Sequence, residues 1–144
     1  MQIIQLDALT FVGPQILPSD LPELKRLGIC KIIVTRPEGE TDDQPAICEI
    51  ERAANAVDIE VYQIPVVSGG IIDQDASAFS ALVANLDGPV FAYCRSGMRA
   101  TSLWALDQAQ KGQSPEVILS IAKAAGFDLG ALMPRLATQS VADN

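Results

Sequence analysis

Short apolar runs alternate with stretches of helical periodicity along the whole chain. Leu9–Val12 is a brief apolar run closed by Gly13-Pro14. Ser19 then precedes Asp20, Leu21, Pro22, Glu23, Leu24 and Leu27, with Gly28 behind them. A Ser cap, acids and Pro in the first turn, and a terminal Gly predict a helix here. Lys31–Thr35, with Ile32, Ile33 and Val34 in succession, predicts a buried strand ending at Arg36-Pro37. Ala46–Val57 repeats apolar residues at helical spacing. Glu60–Val67 predicts a strand, broken by Ser68-Gly69-Gly70.

The next helix carries Phe79, Leu82, Val83 and Leu86, with Asp73 or Asp75 as its cap, and ends at Asp87-Gly88-Pro89. Val90–Tyr93 is a third core strand and runs directly into Cys94-Arg95-Ser96-Gly97-Met98-Arg99. A helix over Ala100–Gln110 follows, then another opened by Ser114-Pro115-Glu116, and a last short one over Leu129–Leu136. Residues 138–144 are expected to be a flexible tail. Strands separated by helices imply an α/β fold: three layers, with a mostly parallel central sheet flanked by helices, in one domain over residues 1–137. Ligands of such sheets sit beyond the carboxyl ends of the strands, which is where the Cys94 segment lies.

Composition narrows the chemistry. Hydrophobic residues are 49% and charged residues 19%, which excludes a disordered chain. The balance of 10 basic against 18 acidic residues gives −8, the wrong sign for a nucleic-acid or anionic-membrane binder. Histidine is absent, which removes imidazole bases, Ser-His-Asp and Cys-His catalysis. Cys30, Cys48 and Cys94 form no CxxC pair, so neither a disulfide framework nor a cysteine-rich zinc site is expected. Neither a metal nor a cofactor is called for. The N-terminal MQIIQLDALTF does not read as a signal peptide, and no apolar run approaches the ~18 residues of a membrane span. A cytoplasmic setting, reducing enough for free thiols, is the expectation.

One segment carries chemistry. Cys94 stands between a buried strand and a helix start, with Ser96, Gly97 and Met98 before Arg99. Successive backbone N–H groups in such a loop form an anion nest, and the helix N-terminus adds partial positive charge. Arg95 and Arg99 bring two guanidinium groups, and Arg36, at another strand end, is a further candidate for the same pocket. Gly97 permits positive φ or close approach of a ligand. Thiols in such settings act as thiolate nucleophiles. The structural alternative is a buried cysteine at a strand end. The acidic stretch Glu38–Asp43 reads as a solvated loop, with a lid as the other reading.

The segment Cys94-Arg95-Ser96-Gly97-Met98-Arg99 resembles, in its C-R-S-G-x-R form, the rhodanese active-site loop, which carries sulfur as a cysteine persulfide. Its context resembles the Cys-dependent tyrosine and dual-specificity phosphatases. A wider set of residues is similar to a bacterial family of phosphatase-like domains also found fused to β-lactamase-like hydrolases. These are Val12-Gly13-Pro14-Gln15-Ile16, Thr35-Arg36-Pro37-Glu38-Gly39-Glu40, Ile64-Pro65-Val66, and the Cys loop with Ser102-Leu103-Trp104. The resemblance covers roughly Leu9 to Leu106. It implies a tyrosine/dual-specificity phosphatase-like fold, and either phosphate hydrolysis or sulfur transfer.

Two departures bear on that choice. Tyrosine phosphatases place five residues between Cys and Arg, whereas four separate Cys94 from Arg99. A tighter cradle suits a persulfide. The place of the phosphatase general acid, just past Ile64-Pro65-Val66-Val67, is Ser68, with Asp73 and Asp75 further on. Sulfur transfer from thiosulfate expels sulfite and needs no acid. The main expectation is therefore a sulfurtransferase acting through a Cys94 persulfide on a small oxyanion, with a thiol acceptor. The alternatives are a phosphatase with a Cys94 phospho-enzyme, a phosphorylated substrate and Asp73 or Asp75 as acid, or a non-catalytic anion-binding or redox-sensing module.

Overall fold

A computed structural model describes residues 1–142, and side chains through residue 138. The chain runs β1 (Ile4–Gln5), β2 (Thr10–Gly13), α1 (Leu21–Arg26), β3 (Lys31–Val34), α2 (Ile47–Asn55), β4 (Glu60–Gln63) and α3 (Asp73–Val83). It continues through β5 (Val90–Tyr93), α4 (Met98–Gln110), α5 (Pro115–Ala124) and α6 (Met133–Ala142). The sheet order is β1-β2-β5-β3-β4. All neighbours are parallel except β1, which pairs antiparallel with β2 at the edge.

Side chains alternate across this sheet because successive residues of a strand point to opposite faces. Ile33, Val90 and Ala92 enter one core with Phe79, Leu103 and Leu106, under the layer of α3 to α6. Ile32, Val34, Phe91 and Tyr93 enter the other core with Leu24, Ile47 and Ile50, under α1 and α2. Every residue of β5 is buried, as a central strand covered on both faces requires.

The differences from expectation are local. Ser19 does not cap the first helix: a 3-10 turn over Pro18–Asp20 precedes α1, and the Asp20 carboxylate accepts from Leu17 N–H at 2.8 Å. β4 stops at Gln63 because the ladder leaves register beyond it: Ile64 still donates to Val34 O, but Val66 N–H donates to Thr35 O instead of stepping on to Arg36 O. β1 had no counterpart among the predicted elements. The expected tail is helical from 138 to Ala142, anchored by Leu136, whose exposure is zero; residues 143–144 lie outside the described residues. Among the described residues, no helix is long and apolar enough to cross a membrane.

Candidate active site

The central strand β5 delivers Cys94 to the carboxyl edge of the sheet. Thr35 holds the strand end, its N–H and its hydroxyl both donating to Tyr93 O at 2.9 and 2.8 Å. Gln15 N–H donates to Arg95 O at 3.3 Å, tying the loop to the segment after β2. Gly97 caps α4 with φ +98°. A Cβ at that position would lie 3.0 Å from Phe127 Cζ, so the loop and the Phe127 ring are in direct contact only because residue 97 is glycine. Gly97 N–H donates to Cys94 Sγ at 3.0 Å. This amide and the N-terminus of α4 present partial positive charge to the sulfur. Cys94 is fully buried, whereas Cys48 is exposed.

Arg99 is almost wholly buried and its guanidinium is held from two sides. Nη1 donates to Glu40 Oε2 at 2.7 Å and to Val66 O at 2.8 Å, and Nη2 donates to Glu40 Oε1 at 2.8 Å. Of its five N–H groups these contacts use three, all from Nη1 and the adjoining side of Nη2. The side-on fork of Nε and Nη2 takes no part in them. Glu40 also accepts from Arg36 Nε at 3.0 Å. The Arg99 bond, then the Arg36 bond, hold the Glu40 carboxyl down from 4.5 to about 2 against the opposing effect of burial. The same bond to Glu40, followed by the nearby Cys94, holds Arg99 above its ordinary value despite burial.

A cleft of about 690 Å³ opens over this loop. Arg95, Ser96, Met98, Arg99 and Ser102 form one wall, and Ser68, Gly69 and Ile71 another. The third comes from the C-terminal segment, with Asp128, Leu129, Leu132 and Arg135; Glu40 closes the rim.

The residues singled out in the sequence are thus brought together only in part. Cys94, Arg95, Ser96, Gly97, Met98 and Arg99 share the loop. Arg36 does not line the cleft. Its three guanidinium nitrogens are spent on Glu40, Gln15 and Thr41, and of these only Glu40 lines the cleft. Asp73 and Asp75 do not line it either. Asp75 accepts from Ile72 N–H at 3.1 Å as a helix cap, and exposed Asp73 pairs with Arg135 at 3.1 Å. The stretch Glu38–Asp43 is not simply a solvated loop, because Glu40 bridges two buried arginines. Glu40, Asp128 and Arg135 were missed as site residues. The four-residue spacing of Arg36 and Glu40 was the only local hint, and none pointed to the other two.

The family model of the phosphatase-like domain of β-lactamase hydrolase-like proteins matches residues 5–111. This chain belongs to that family. The β-lactamase hydrolase-like protein of Agrobacterium fabrum is 34% identical over 143 residues, covering 99% of this chain and 33% of that protein. The homologue from Xylella fastidiosa is 29% identical over 142 residues, with 98% and 33% covered. The chain therefore spans about a third of the length of these relatives. A crystal structure of a candidate phosphatase from Neisseria meningitidis superposes with a TM-score of 0.86 at 31% identity, covering 96% of this chain and 99% of that one. The catalytic core of a PP-IP phosphatase from S. cerevisiae shares the fold, with a TM-score of 0.68 at 16% identity and coverages of 96% and 82%.

This phosphatase-like domain has the tyrosine/dual-specificity phosphatase-like fold that the resemblance implied. The sulfur-transfer expectation is not supported, and the phosphatase alternative fits these relatives better. The tighter loop was read as suiting a persulfide better than a phosphate, but its length is not the whole donor set: the bonds of Arg99 to Glu40 and Val66 O leave its Nε–H and one Nη2–H outside them. The cleft also falls in the roughly 300–1,000 Å³ range of organic-ligand sites, far more than thiosulfate needs.

Proposed function

We propose that the domain hydrolyses monoesters of phosphoric acid through a phosphocysteine formed at Cys94. The observation that carries this reading is the end-on clamp of Glu40 on Arg99, which leaves the Nε/Nη2 fork for an oxyanion beside the buried thiol. Planar forks of this kind match two phosphate oxygens at once. The loop amides and the α4 N-terminus supply the remaining positive field. Cys94 Sγ attacks phosphorus, the ester oxygen departs, and water then cleaves the S–P bond to release phosphate. Ile71, Met98, Leu129 and Leu132 line the cleft beyond the phosphate site, so the leaving alcohol is organic with an apolar portion.

The test compares 4-nitrophenyl phosphate with thiosulfate plus cyanide on the purified domain. Phosphate release that vanishes in Cys94→Ser is expected. Cys94-dependent thiocyanate without phosphate release would restore the sulfur-transfer reading. Indifference of both assays to Cys94→Ser would leave a binding module.

A further inference from the structure

An ester with a poor leaving group needs a proton at the departing oxygen, and the cleft offers few sources. Two carboxylates line it, Glu40 and Asp128. Glu40 is pinned as an anion by Arg99 and Arg36 and has no proton to give near neutral pH. Asp73 and Asp75, the acids suggested by the chain order, lie outside the lining and are spent on Arg135 and on capping α3. Asp128 lines the cleft, as Glu40 does, but forms no ion pair among the described residues. It is exposed to the cleft between two buried anchors, Phe127 and Leu129. Phe127 packs directly on Gly97, so the backbone carrying Asp128 is registered against the Cys94 loop. Its Oδ1 accepts from Gly130 N–H at 2.9 Å, which fixes the side chain, and Oδ2 takes no part in that bond.

We infer that Asp128, from the segment between α5 and α6, is the general acid–base of the phosphate-ester hydrolysis proposed above. The inference rests on that reading. In the first step the S–P bond forms as the P–O bond breaks, and the carboxyl proton of Asp128 passes to the departing oxygen, so a neutral alcohol leaves. In the second, water attacks phosphorus and gives a proton to the Asp128 carboxylate. The S–P bond then breaks, and phosphate and the Cys94 thiolate are regenerated.

The experiment is a leaving-group series with the wild-type domain, Asp128→Asn and Asp128→Glu. Asn keeps the acceptor for Gly130 N–H and lacks the proton. Asp128→Asn should lower kcat for an alkyl phosphate about 10²–10⁴-fold. Its burst rate of 4-nitrophenolate release, a first step whose leaving group departs unprotonated and which precedes the base step, should change less than about fivefold, and Asp128→Glu should recover much of the alkyl phosphate rate. A burst rate on the aryl ester lowered as far as the alkyl kcat, or no loss on either ester, overturns the role of Asp128. A steepened leaving-group dependence in Asp73→Asn or Asp75→Asn instead of Asp128→Asn also overturns it. If the wild type releases no Cys94-dependent phosphate from the aryl ester, the hydrolysis reading itself falls, and this inference with it.

Discussion

Replacing Glu40 by Gln removes one negative charge from between two buried arginines and leaves a side chain of the same shape. Arg36 and Arg99 then face each other's charge, and the hydrogen-bond acceptors left to them, on Gln15, Thr41 and Val66, are neutral. A carboxyl held down from 4.5 to about 2 corresponds to about 3 kcal/mol, since each pH unit is worth about 1.4 kcal/mol. That is a ceiling. The Glu40 side chain keeps 24% of its exposure at the cleft rim, and solvent screening reduces the effect to about 1–2 kcal/mol. Because the folded-state value is depressed, this stability is present in full above about pH 4.5 and is lost as pH falls towards about 2. Urea denaturation of wild type and Glu40→Gln at pH 7, 5, 4 and 3 measures it. The variant should be less stable by about 1–2 kcal/mol at pH 7 and 5, and the gap should narrow through pH 4 and 3. A gap below about 0.3 kcal/mol at pH 7, or one that stays constant to pH 3, would refute the clamp as an energetic feature.

Gly97→Ala forces a side chain into a positive-φ position against the Phe127 ring. It should cost about 1–3 kcal/mol and lower the melting temperature by roughly 2–12 °C, with loss of phosphate release; an unchanged melting curve would contradict the packing described. Arg99→Ala should weaken phosphate binding at least tenfold by calorimetry, because it removes charge-assisted donors. Arg36→Ala should weaken it less than about threefold, since that arginine reaches the cleft only through Glu40; equal losses would count against this division of roles.

Much of the architecture was readable from local pattern alone. Val90–Tyr93 matched β5 residue for residue, and Lys31–Thr35 exceeded β3 by one. Uninterrupted apolar runs of this length fit strands buried on both faces, and the Gly and Pro residues beside them interrupt regular structure. The Cys94 loop was legible for the same reason: its parts are contiguous, so order along the chain is also order in space. What tertiary structure alone decided lies between residues far apart. The two-residue β1 exists through its pairing with β2 and has too little pattern of its own. Glu40 meets Arg99 across fifty-nine residues, and that contact sets which N–H groups of the guanidinium are already engaged. Asp128 and Arg135 reach the cleft because α5 and α6 pack beside α4, while Asp73 and Asp75 start a helix whose first turn does not line it. Capping and periodicity act within a turn or two of the chain, whereas convergence on a cleft is set by how the layers close around the sheet.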